Sequence, residues 1–85
     1  MRQFEVIVND PVGIHARPAG LLVKEATKYE SEITIEHNNK TADCKKIFAV
    51  MGLCAKYKDN LIIRISGIDE KEAEENLRNF FNNTI

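Results

Sequence analysis

Two side chains suited to handling a phosphoryl group stand two positions apart in the segment Gly13-Ile14-His15-Ala16-Arg17-Pro18. Imidazole is a nucleophile near neutral pH, where much of it is unprotonated. A helix beginning near residue 16 leaves its first backbone N–H groups without intrahelical partners and points them back toward His15. The aligned peptide dipoles add roughly half a positive charge at that end. Arg17 in the first turn opposes this dipole by about 0.3–1 kcal/mol, a placement that makes sense where an anion visits. The N–H groups of Ala16 and Arg17, with the Arg17 guanidinium, would form a compact phosphate receptor. Fixed donors of this kind are what phosphoryl transfer asks of a protein. Gly13 is expected to let a partner approach without a side chain in the way. A histidine near a helix N-terminus also serves as a surface or capping residue, and spacing alone does not choose between the two.

The surrounding elements must place His15 at that helix entrance. Residues 4–8 alternate as a strand, with Phe4, Val6 and Val8 on one face. Pro11 then removes a ladder donor and Gly13 permits a turn. From Ala16 the period changes: Ala19, Leu22, Val23, Ala26 and Tyr29 recur on one helical face, and Pro18 falls in the tolerant first turn. Residues 33–36 predict a second strand, and Asn38-Asn39 a two-residue hairpin leading to a third at 40–43. Residues 47–53 predict a short helix ending near Gly52, and 61–65 a strongly apolar strand. Asp69 with Glu72 signals a last helix whose buried stripe is Ala73, Leu77, Phe80 and Phe81. The order βαββαβα predicts an α+β fold, with a four-stranded, mainly antiparallel sheet covered on one face by three helices.

Eighty-five residues make one domain, 1–85, with a thin core and no room for a large cleft. Twelve basic against thirteen acidic residues leave a net charge of −1, so any anion site must be local. That balance, with no aromatics arranged for stacking, argues against nucleic acid as a partner. No apolar run approaches membrane-spanning length and the start lacks a signal-peptide pattern, so no membrane insertion and a cytoplasmic location are expected. Cys44 and Cys54 lie ten positions apart without metal-ligand spacing, and two reduced thiols and no metal are expected. His37 borders the hairpin turn with no partner at metal spacing and is expected to be solvated.

Gly13-Ile14-His15-Ala16-Arg17-Pro18-Ala19 resembles the active-site motif of the HPr family, the histidine-containing phosphocarriers of the sugar phosphotransferase system. The likeness runs along essentially the whole chain, through Leu22-Val23-Lys24-Glu25-Ala26, Ser31-Glu32-Ile33-Thr34-Ile35, Lys40, Val50-Met51 and Ser66-Gly67. It implies the family's open-faced β-sandwich. It further implies that His15 accepts phosphate from enzyme I, on Nδ1, and passes it to sugar-specific IIA domains with Arg17 supporting the transfer. Such a protein is a stoichiometric carrier that does not turn over alone, needs no cofactor, and is expected to be a monomer. A regulatory paralogue, phosphorylated on His15 but signalling and not serving sugar uptake, is the alternative.

In that fold Ile47, Phe48 and Met51 lie beside His15. A helix of two turns cannot bury Phe48 and Met51 together with Val50 and Leu53, so Ile47 and Phe48, with Met51, are expected exposed next to Gly20. Ringed by Arg17, Lys24, Lys45 and Lys46, this patch would suit partners with an apolar groove and an acidic rim. Lys46 stands where Gram-positive members carry a serine modified by a regulatory kinase, so that switch is expected to be missing. Lysine also forfeits a serine cap, usually worth about 0.5–2 kcal/mol, for which Asp43 would partly compensate. Cys54 and Lys58 occupy positions where the family has glycine, so strain is expected there unless Gly52 takes over the turn.

Overall fold

The computed structural model describes every residue from Met1 to Ile85. The chain runs β1 (Arg2–Ile7), α1 (Ala16–Ala26), β2 (Glu32–His37), β3 (Lys40–Asp43), α2 (Ile47–Met51), β4 (Asn60–Ser66) and α3 (Glu70–Thr84). The four strands form one sheet in the order β1-β4-β2-β3, and every neighbouring pair is antiparallel. The expected element order and sheet are therefore present.

Register explains why one face is dry. Ile63 in β4 lies opposite Phe4 on one side and Ile35 on the other, while Ile65 lies opposite Ile33 and Leu61 opposite Val6. With period-two alternation these side chains share a face, and the helices cover it. Ala19, Leu22 and Ala26 come from α1, Val50 from α2, and Ala73, Leu77 and Phe81 from α3, all buried. Phe4 and Phe81 meet edge to face at 6.2 Å. Each fully buried Leu or Ile contributes roughly 1.5–3 kcal/mol, so the central β4 side chains anchor the domain. The opposite face carries Glu5, Thr34, Ile62 and an Arg64–Glu36 ion pair, and no helix covers it.

Two junctions depart from local expectation. Asp69 stands at the N-terminal boundary of α3 but makes no cap bond to it. Its carboxylate instead accepts the Glu30 and Ser31 amides at 2.9 Å each, together with the Ser31 hydroxyl. A long-range partner set has outcompeted the local capping box. The hairpin does follow expectation, with Asn38 and Asn39 at φ 51° and 67°, as a primed two-residue turn requires.

The segment between α2 and β4 departs further. Gly52 stays helical at φ −65°, so it does not relieve the turn. Cys54 and Lys58 adopt the left-handed region themselves, at φ 54° and 72°. His37 is buried, not solvated: Nδ1 donates to the Leu53 carbonyl at 2.9 Å, and Nε2 faces Asp59 Oδ2 at 2.8 Å. Both partners lie in the loop that folds back over the end of β2, which is why the ring is dry. Cys44 is the core thiol expected, with burial pushing it up to about 12, whereas Cys54 is exposed; both are free.

Gly13 takes the turn conformation expected and has a second reason to be glycine. At φ +80° it packs on the backbone of that loop, where an added Cβ would lie 2.5 Å from the Ala55 carbonyl oxygen. The glycine makes room for the protein's own chain. Left-handed strain and forced repacking each cost roughly 1–3 kcal/mol, so Gly13→Ala should lower the melting temperature by about 10 °C or more in calorimetry. Lys58→Gly removes side-chain strain at φ 72° but loosens the unfolded chain, so it should be neutral or stabilising by up to about 1 kcal/mol in urea unfolding. Asp59, Asp69, Glu70 and Glu74 are all held below their ordinary carboxylate values, each first by a hydrogen bond: from the Lys56 amide, Ser31, the Gly67 amide and Arg2 respectively. A depressed carboxylate stabilises the fold above its unfolded value and loses that contribution as pH falls through the folded one. Thermal melts should therefore fall once pH drops below the ordinary values of 4.5 for Glu and 3.8 for Asp.

Candidate functional site

His15 is the residue that turns the chain from loop to helix. Its backbone is extended (φ −108°, ψ −167°), it occupies the N-cap position of α1, and its carbonyl accepts the Ala19 amide at 3.0 Å. Its side chain makes no cap bond, so the imidazole is free for other chemistry. The Ala16 and Arg17 amides have no hydrogen-bond partner, and Pro18 carries none to satisfy. Both unused donors stand in the first turn behind the ring, with the positive end of the helix dipole.

The imidazole is 42% exposed, and its Nε2 lies 3.8 Å from Asp10 Oδ2. The other Asp10 oxygen accepts the Val12 amide at 2.9 Å, which fixes the carboxylate within its own turn. At that distance the carboxylate is a neighbour of the ring and not a hydrogen-bond partner. Arg17 is exposed and forms no ion pair, so its guanidinium is available to an incoming anion. His15 and Arg17 line an open depression of about 320 Å³ with Asp10, Pro18, Leu21, Asn83 and Thr84. A larger groove of about 650 Å³ between α1 and α3 lies away from the ring, and its Glu25 is already paired with Lys28 and Tyr29.

The loop ahead of His15 is held from behind. The Ile14 amide donates to the Ala55 carbonyl at 3.0 Å, the Gly13 amide to the Asp10 carbonyl at 2.9 Å, and the Ile14 side chain is buried. Asp10, Asn83 and Thr84 at this site were not singled out from the sequence. Asp10 lay close enough to be suspected; the end of α3 carried no signal at all.

The apolar patch is smaller than expected. Phe48 is 83% exposed, but Ile47 and Met51 are only partly exposed and pack against the core. Gly20 does adjoin Ile47, since a Cβ there would sit 3.7 Å from Ile47 Cδ1. Lys24 and Lys46 are exposed, whereas the Lys45 ammonium is engaged on the Tyr29 carbonyl at 2.7 Å and leaves the basic ring. Lys46 occupies the N-cap position of α2 without a cap bond. Asp43 serves the Lys45 amide through its carboxylate and the Lys46 amide through its carbonyl, both just ahead of the helix.

A family model described as the PTS HPr component phosphorylation site matches residues 2–83. The chain is 40% identical over 74 residues to the phosphocarrier protein HPr of Mycoplasma genitalium, covering 86% of this chain and 84% of that one. It is 44% identical over 80 residues to phosphocarrier protein HPr of Buchnera aphidicola, covering 94% of each. The solved structure of a mycoplasma histidine-containing phosphocarrier protein superposes with a TM-score of 0.94 at 37% identity, over 98% of this chain and 94% of the other. With the sheet order, the free imidazole and the whole-length similarity in agreement, the chain belongs to the HPr family of phosphocarriers of the phosphotransferase system.

Proposed function

We propose that His15 is the phosphoryl-bearing residue, loaded by phosphorylated enzyme I and unloaded onto sugar-specific IIA domains. The observation that carries this reading is an imidazole with no capping duty set ahead of two unpartnered helix amides. In the forward step the Nδ1 lone pair attacks phosphorus while the donor's bond to phosphorus breaks. The three phosphoryl oxygens, which carry the charge, are then met by the Ala16 and Arg17 amides and by the Arg17 guanidinium. Return of the group to an acceptor reverses the same bond changes, so the protein is recovered unaltered and acts as a carrier without turnover of its own. No cofactor enters. Phe48, flanked by Gly20, Lys24, Lys46, Ile47 and Met51, supplies a small contact suited to rapid exchange of partners with an apolar groove and acidic rim. A cytoplasmic monomer that presents one face to successive partners fits this role, and the chain has no helix long and apolar enough to cross a membrane.

Lys46 separates carriage from control. An ammonium cannot accept phosphate by the route open to a hydroxyl, so serine-directed regulation at this position is absent on our reading.

Incubation with enzyme I and phosphoenolpyruvate should give one acid-labile phosphate per chain, lost completely in His15→Ala. Arg17→Ala should slow the transfer about 10–100-fold in rapid-quench assays, as expected for one lost charge-assisted contact. Normal labelling of His15→Ala would refute the assignment. Lys46→Ser supplies the missing cap of α2 and should stabilise the fold by about 0.5–2 kcal/mol in urea unfolding.

A further inference from the structure

His37 stands outside the phosphoryl site, yet its two ring nitrogens grip the loop on which that site rests. Nδ1 meets the Leu53 carbonyl at 2.9 Å and Nε2 meets Asp59 Oδ2 at 2.8 Å. A carbonyl oxygen and an ionised carboxylate can only accept, so the two bonds form together only when both ring nitrogens carry protons. The ionised state of Asp59 has independent support: the Lys56 amide donates to the same oxygen at 2.8 Å and, ahead of His37, holds this carboxyl below the ordinary range. The other charged groups around the ring are Lys56 in the loop and Lys40, its register partner across the hairpin. Removal of either ring proton would break one of the two bonds.

What the ring holds is the span between those two partners. Ala55 lies inside it, and its carbonyl accepts the Ile14 amide immediately before His15. The same span contains Cys54 and Lys58 in left-handed conformations, which persist only where surrounding contacts over-determine them. Gly13 packs on Ala55 and Lys56 from the other side. Leu53, Ala55, Ile14 and His15 thus form a continuous polar and steric path from the buried ring to the exposed one.

We propose that His37 is a positioning residue for His15: as a doubly protonated clamp across Leu53 and Asp59, it fixes the Ala55 carbonyl that holds the backbone ahead of the phosphoryl-accepting ring. The proposal rests on His15 as the phosphorylated residue for its functional meaning, and its structural half can be read without phosphate. The test compares amide hydrogen exchange in the full chain with that in His37→Gln, which can serve only one of the two acceptors through its amide nitrogen. Exchange at Ile14 should rise about tenfold, the ordinary worth of a weakened hydrogen bond, while the β2–β4 ladder amides keep their protection. Nitrogen spectra of the native ring, recorded at mildly acidic pH, should show protons on both nitrogens of His37. Phosphorylation of His15 by enzyme I should slow several-fold in the same variant. Unchanged exchange at Ile14, a rise shared by the whole ladder, a singly protonated His37, or an unaltered phosphorylation rate would each overturn the proposal. If His37→Gln does not fold, Asp59→Asn takes its place with the same expected and contrary outcomes. A native chain that takes no phosphate from enzyme I refutes the function assigned to His15, and leaves the exchange comparison fully readable.

Discussion

Everything distinctive about this site depends on one backbone contact, the 3.0 Å hydrogen bond from the Ile14 amide to the Ala55 carbonyl. The chain between β1 and α1 receives only part of its order from the sheet. Without an external anchor, His15 would enter the helix at no fixed angle, and the free Ala16 and Arg17 amides would face no defined place. The anchor comes from a loop that is itself irregular. It is drawn together by His37 at its two ends and sewn to Val8, the residue just past β1, through the Lys58 amide to the Val8 carbonyl and the Val8 amide to the Asp59 carbonyl. Two loops distant in sequence thus stabilise each other, and the exposed imidazole is the beneficiary.

The arrangement shows how a small domain can hold a reactive group without a cleft. There is no enclosed pocket around His15, and part of what an enzyme would supply by burial is supplied here by omission. The N-cap side chain declines to cap, Pro18 has no N–H, and Arg17 has no carboxylate partner. The missing cap and the unpaired Arg17 each cost the isolated helix a little stability, and together they leave donors and charge unspent until an anion arrives. The core makes this tolerable, since the sheet and the helix stripes bury enough apolar surface to hold α1 whatever its cap does.

Much of this was legible in the sequence, for a physical reason. Strands and helices report themselves through periods of two and 3.6, which mark β1, α1, β2, β4 and α3, while β3 follows from the hairpin turn and α2 from its place between strands. His15 and Arg17 could be singled out because their chemistry depends on neighbours in sequence, at a helix start. Contacts made across the fold were hidden. The partners of His37 lie 16 and 22 residues away, and nothing at the hairpin foretold a dry ring. Asp69 looked like a local cap, but its best partners lie 38 and 39 residues back. Gly13 was recognisable as a turn glycine, though only the path of residues 55 and 56 explains why no other residue fits.

The sheet order carries a consequence for the order of assembly. β2 and β3 meet through a two-residue turn, whereas β1 waits for a partner that lies at residues 60–65. During synthesis the first strand therefore remains unpaired until most of the chain has been made, and loop closure over that span is slow compared with the hairpin. The loop that anchors Ile14 emerges only shortly before β4. A nascent chain thus already contains His15 but cannot yet present it in working geometry, and a truncated product ending before β4 would carry the residue without the site.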